Sequence, residues 1–186
     1  MALMTMWGYE VDADELPPVL TVDEFDAVGG SELASTYAAK AAALAAASQA
    51  IRDYCGWHVC PRVKCTFEVD ADSSATLPVM AVDPSTVELG EVEERTQAVM
   101  SYGVLLRRPV RVQSLTCYAG TDSDAINQVC AQLATNHLVA TAGLREEHIG
   151  TAGATYNQTD NGVSGGIRLL DSDRALLDPY RIVGVV

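Results

Sequence analysis

Residues 162–166, Gly-Val-Ser-Gly-Gly, satisfy the G-x-S-x-G pattern of a hydrolase nucleophile elbow, with Ser164 as the nucleophile. Such an elbow joins a buried strand to a helix, so that the serine stands exposed at a sharp turn. Here polar residues 157–161 precede it and "IRLLDSD" follows, which leads into a cap. None of the three histidines sits in a supporting motif. A flexible glycine loop is the better reading, and a small serine hydrolase remains only an alternative.

Cys55, His58, Cys60 and Cys65 raise the question of zinc. Structural zinc is held by paired C-x₂₋₄-C knuckles. Cys55 and Cys60 have that spacing, but no second knuckle follows, and Cys65 falls on the apolar face of an alternating strand. Buried cysteine behaves as a small hydrophobe. His137 lies one helical turn beyond Leu133 and reads as a hydrogen-bonded core histidine. Glu146, Glu147 and His148 are adjacent in what reads as a loop, which makes no metal face. Asp122 and Asp124 resemble the start of a calcium loop without its glycine or distal glutamate, so helix capping explains them better. Arg107, Arg108 and Arg111 form the sole basic cluster and read as a solvated turn near Glu93 and Glu94. No cofactor site, metal site or catalytic residue emerges.

Composition narrows the class. The 186-residue chain is 48% hydrophobic and 20% charged, enough apolar residue to fold. Its net charge is −13, which argues against tight binding to phosphate backbones but permits DNA to pass without sticking. Five scattered cysteines make no disulfide framework. The first residues show no signal-peptide pattern and no stretch reaches the roughly 18 apolar residues of a membrane span. A reduced, soluble, cytoplasmically made protein is expected.

Several elements can be placed from pattern. Residues 1–20 read as an irregular arm. Thr21 and Glu24 match the capping box of a short helix ended by Gly29-Gly30. Ser31 is the expected cap of a long helix running to about Tyr54, with Tyr37, Ala41, Leu44, Ser48, Ile51 and Cys55 as its seam. The rest of that helix is mostly alanine, with Lys40 the one charge between Tyr37 and Ala50. Such a helix is normally enclosed, either in a monomer core or between identical subunits. Gly56 stops it. Val63, Cys65, Phe67 and Val69 alternate with polar residues as a half-buried strand. Short strands are expected around Asp83-Pro84, then an acidic stretch at 88–100. Residues 103–120 read as a hairpin turning near Arg107-Arg108-Pro109. A second helix runs from Asp122 or Ser123 to about Thr141, buried through Ile126, Val129, Cys130 and Leu133, with Gly143 after it. A short strand around 154–158, a last helix "SDRALLDPY" and an apolar tail follow. The expected class is α+β: a helical core with a small antiparallel sheet or hairpin as an insertion.

The order of these features resembles the head–tail connector (adaptor) proteins of long-tailed bacteriophages, particularly those of actinobacterial phages. The likeness rests on "IRDYCGWHVCP" closing the long helix, "GVLLRRPVRVQSLTCYAG", "GLREEHIGTAGATYN" after the second helix, and "LLDSDRALLDPYR" at the end. It covers residues 22–181. The arm at 1–20 and the acidic stretch at 88–100 depart from the family pattern.

The resemblance implies a non-enzymatic virion protein of the head–tail neck, assembled in the host cytoplasm. It would form a homo-oligomeric ring, expected to be a dodecamer, beneath the portal protein. Such a ring extends the channel through which DNA passes without specific binding and carries the stopper or tail. Another neck or tail ring protein, a stopper or tail terminator, is the alternative. On this reading Ala42, Ala43, Ala46 and Ala47 face neighbouring subunits and Trp57 anchors the turn between the long helix and the strand at Val63. An arm at 1–20 precedes one domain at 21–181. The tail at 182–186 docks on the portal or an adjacent subunit, through Ile182, Val183, Val185 and Val186, with Arg181 fixing its start.

Overall fold

Thr21 and Glu24 satisfy each other's backbone donors, as their spacing requires. The Thr21 hydroxyl accepts from the Glu24 N–H at 3.3 Å, and the Glu24 carboxylate accepts from the Thr21 N–H at 2.8 Å. The box starts α1 (Val22–Ala27), and the Thr21 N–H foremost, with the Thr21 hydroxyl also donating to the Glu24 carboxylate at 2.8 Å, holds that carboxyl below its usual pKa. The computed structural model describes residues 2–33, 35–74, 76–101, 104–141, 146–149, 152–155 and 167–182. The chain divides into two compact units, one of residues 1–16 and 62–121, the other of 17–61 and 122–186. This partition cuts across the expected arm, domain and tail.

The first unit is built on a five-stranded antiparallel sheet in the order β1-β2-β3-β5-β4. Its strands are β1 (Leu3–Met4), β2 (Glu10–Val11), β3 (Val63–Asp70), β4 (Glu88–Ser101) and β5 (Val104–Ala119). β3 buries Cys65 and Phe67 and exposes Glu68 and Asp70, the alternation expected of it. The residues expected to be an irregular arm belong to this sheet: Glu10 and Val11 pair with Thr66 and Cys65. Tyr9, Val11, Cys65, Phe67, Cys117 and Ala119 form a core of their own, with the Tyr9 and Phe67 rings 5.0 Å apart. The sheet is therefore not a small insertion on a helical core. That expectation is corrected: helices and an independently packed sheet share the chain.

The hairpin is also larger than expected. Arg107-Arg108-Pro109 does not turn; β5 runs straight through it, pairing Arg107 with Ala98, Arg108 with Gln97 and Pro109 with Thr96. The pairing of the two strands continues to Ser101 and Val104. Proline is tolerated because, among the described residues, β5 has only β4 beside it at that point. A bulge between Leu89 and Val92 adds one residue to β4. Gly90 sits in it, so close to β5 that a Cβ would meet the Ser114 hydroxyl at 2.1 Å. Around Asp83-Pro84 the described backbone makes one bridge, Val82 to Ala119, and a 3-10 turn at Pro84–Thr86, in place of the expected short strands.

The second unit holds α1, α2 (Tyr37–Cys55), α3 (Asp124–Thr141) and α4 (Asp171–Leu177). The cap of α2 is Thr36, whose hydroxyl accepts from the Ala39 N–H at 3.2 Å; Ser31 lies instead in a 3-10 turn at Gly30–Glu32. Gly56 ends α2 with φ of 79°, a left-handed conformation that a Cβ would strain. α3 buries Ile126, Val129, Cys130 and Leu133, the stripe its periodicity predicts, and packs on α2. Residues 146–149, read as loop, form β6 (Glu146–Ile149), paired with β7 (Ala152–Thr155). Gly143, Ser164 with its G-x-S-x-G loop, and residues 183–186 lie outside the described residues.

Candidate functional site

α2 has two unlike faces. Lys40, Ala43, Leu44, Ala47, Ser48, Ile51, Arg52 and Cys55 are buried. Ala38, Ala39, Ala42, Ala45, Ala46, Gln49 and Asp53 are exposed. The four alanines expected at a subunit contact are thereby split. Ala43 and Ala47 are 0% exposed and belong to the unit's own core, while Ala42 and Ala46 face outward. The reason is the 3.6-residue period, which turns neighbours such as Ala42 and Ala43 by about 100° from each other. Tyr37, placed on the seam, is 69% exposed.

The inner face carries polar residues that sequence pattern alone did not place there. The Lys40 ammonium meets the Asp26 carboxylate at 2.7 Å, tying α2 to the end of α1. The Ser48 hydroxyl donates to the Leu44 carbonyl at 2.6 Å and accepts from the Val19 N–H at 2.8 Å. Arg52 is 3% exposed. Its Nε donates to the His58 carbonyl at 3.1 Å, and Nη2 donates to the carbonyls of Cys60, at 2.9 Å, and Pro17. One guanidinium thus gathers the backbone of the turn after α2 and of the segment before α1. A planar group with five donors suits this task in a way lysine does not.

The turn itself is fully enclosed. Trp57, His58 and Val59 are each 0% exposed. Val59 has φ of 56°, an uncommon and strained value for a β-branched residue, and the Cys60 N–H donates to the His58 carbonyl at 2.6 Å across it. The carbonyls on either side of that strain are the ones Arg52 holds. The indole Nε1 of Trp57, expected to pack against the strand at Val63, donates to the Tyr180 carbonyl at 2.7 Å, a partner in the C-terminal segment. Trp57→Phe should cost about 2 kcal/mol by orphaning that carbonyl and shrinking a packed side chain. Chemical denaturation of the two proteins measures it, and equal midpoints would place the Tyr180 carbonyl in water.

The same segment returns to α2 twice more. The Tyr54 hydroxyl donates to Asp178 at 2.5 Å, a bond that raises the phenol's pKa, and the Arg181 guanidinium stands 5.1 Å from the Tyr54 ring centre. The Ile182 N–H donates to the Cys55 carbonyl at 2.9 Å and so helps satisfy the end of α2. Arg181 and Ile182, two of the expected portal contacts, are thus fixed on their own unit. Val183, Val185 and Val186 lie outside the described residues.

The cysteines show no sign of activation. Burial pushes the thiols of Cys55 and Cys65 up to about 12 and those of Cys60 and Cys130 up to about 11, and raises that of Cys117. Thiols of that kind are protonated at neutral pH and are poor nucleophiles and ligands. Among the described residues no group of three His, Cys, Asp or Glu side chains converges where an ion could sit. Among them, too, no helix is long and apolar enough to cross a membrane.

The long hairpin is the other exposed feature. Among the described residues, past the Asp70–Val112 pair and one further bond from the Ala71 N–H to the Arg111 carbonyl, β4 and β5 pair only with each other. Every side chain from 88 to 98 is exposed. Arg111 meets Asp72 at 2.6 Å, while Arg95 bridges Glu68 at 2.6 Å and Glu93 at 2.9 Å; these pairs brace the base of the arm. Being solvent-exposed, each contributes at most about 1 kcal/mol. No protein-family model matches the chain, and no curated protein matches it in sequence.

Proposed function

We propose that this chain is a structural virion protein that forms a homo-oligomeric ring at the head–tail junction of a long-tailed bacteriophage. The ring, a dodecamer on this reading, extends the portal channel and serves as the platform for the stopper or tail. The resemblance in motif order carries the family assignment. The observation that supports assembly is the outer face of α2, where Ala38, Ala42, Ala45 and Ala46 stand exposed on a 19-residue helix. Small side chains let a neighbouring backbone approach closely, and from Ala38 to Ala46 this face carries no charge. The net charge of −13 suits a lumen that DNA must traverse without adhering. Residues 183–186, which follow the fixed Arg181 and Ile182 in sequence, are the proposed contact with the portal.

Ala46→Arg tests the assembly face. Residue 46 is exposed, so the variant should fold with an unchanged melting curve. Inserted into a close subunit contact, the bulky charge should abolish rings seen by electron microscopy with purified portal. Normal rings from the variant would put that face in solvent. An adaptor also joins portal-bearing heads that lack every other neck protein, whereas a stopper or tail terminator does not.

A further inference from the structure

Cys65 on β3 and Cys117 on β5 are direct partners in the antiparallel register, and both are buried in the core of the sheet unit. Facing partners in a ladder project their side chains the same way. The Asp12 N–H donates to the Lys64 carbonyl, so the backbone of Lys64 turns toward β2 and that of Cys65 toward β5. Cys65 and Cys117 are therefore a hydrogen-bonded pair, with Cα atoms about 5.5 Å apart. That spacing lies within the roughly 4.4–6.8 Å that a disulfide spans. Burial first, and the neighbouring Cys117 after it, raise the Cys65 thiol to about 12, so the two sulfurs already act on each other. They are the sheet unit's own pair of thiols; Cys55, Cys60 and Cys130 belong to the helical unit.

The cover over the pair is slight in one direction. Tyr9 and Val11 pack on it, and the register of β2 with β3 consists of Glu10–Thr66 and Val11–Cys65. So short a pairing opens locally far more often than the whole unit unfolds. Such openings admit a small oxidant.

We propose that Cys65 and Cys117 are a redox site: two thiols in reducing surroundings, and a cross-strand disulfide once a peroxide reaches them. The thiolate of one cysteine attacks hydrogen peroxide, the O–O bond breaks, and a sulfenic acid and hydroxide result. The second thiol attacks that sulfur; the S–S bond forms as the oxygen leaves, protonated, as water. In all, two thiols give up two electrons and two protons, and one peroxide becomes two waters. Burial keeps thiolate scarce, so closure is slow. The bond ties β3 to β5 and closes the long loop between them, independently of how the protein assembles.

The test uses the full chain, reduced and then freed of reductant. It is held folded at pH 8 with hydrogen peroxide for hours, denatured, alkylated with iodoacetamide and digested without reduction. Peptides joined through Cys65 and Cys117, lighter by two hydrogens and parted by dithiothreitol, are expected. Both residues alkylated, sulfinic acid on either in place of the crosslink, or either one joined to a cysteine of the helical unit overturns the proposal. The same oxidation in urea should give mixed pairings. A Cys65–Cys117 bond no commoner in the folded protein than in urea would mean that the fold does not select it, and also overturns the site. The closed form should raise the urea midpoint reported by Trp7, which packs on this core, by about 1 M, and dithiothreitol should return it. An unchanged midpoint overturns the tie between the strands.

Discussion

Replacing Arg52 by methionine should destabilise the helical unit by about 4 kcal/mol, enough to threaten its folding at 37 °C. Methionine keeps much of the apolar stem but removes every donor. The carbonyls of Pro17, His58 and Cys60 lose the guanidinium that binds them, two of them flanking the strained Val59. Each buried acceptor left without a donor costs about 1–3 kcal/mol, partly relieved if water enters. Arg52→Lys should recover only a fraction, because an ammonium cannot fork to carbonyls on separate segments. Urea unfolding followed by far-ultraviolet circular dichroism measures both. A loss under 1 kcal/mol for the methionine variant would mean that the carbonyls find other donors. The two units should also be followed separately, since Trp7 reports on the sheet and Trp57 on the helices.

Alkali should unfold the helical unit well before it breaks any exposed ion pair. Cys55, Cys60 and Cys130 all lie in that unit, with thiols raised to about 12, 11 and 11 by burial. In the unfolded chain a thiol titrates near 9. Between pH 9 and pH 11 the folded unit therefore holds protons that the unfolded chain has released. Stability is fully present below pH 9 and is lost as pH rises toward the folded values. Three thiols together should remove about 3 kcal/mol between pH 8.5 and pH 10, after allowance for solvent screening. Denaturant midpoints across that range give the slope, and a Cys55→Ala, Cys60→Ala, Cys130→Ala variant should flatten it. Unfolding that stays independent of pH to pH 10.5 would show the thiols to be solvated. The same burial predicts that iodoacetamide at pH 8 labels these three positions only after denaturant is added.

What the chain declares locally, it keeps. Thr21 and Glu24 close their capping box because the bonds span only three residues, and Gly56 stops α2 because only glycine takes that φ cheaply. The alternation at Cys65 and Phe67 and the stripe from Ile126 to Leu133 follow from periodicities of two and 3.6 residues. Signals of this kind need no knowledge of the partner. The rest needed one. Leu3, Met4, Glu10 and Val11 form strands too short for any pattern, and they pair only because Thr66 and Cys65 present an open edge. Pro109 read as a turn because proline lacks an N–H; with only β4 beside β5 at that point, among the described residues, that objection falls. Nine alanines between residues 37 and 61 are indistinguishable in sequence, and the packing of α3 on α2 decides that Ala43 and Ala47 are core while Ala42 and Ala46 are surface. Nothing in the sequence sets Arg52 apart from an ordinary charge at the end of a helix. Its carbonyl partners lie 6, 8 and 35 residues away, and only the closed turn brings them within reach of one guanidinium.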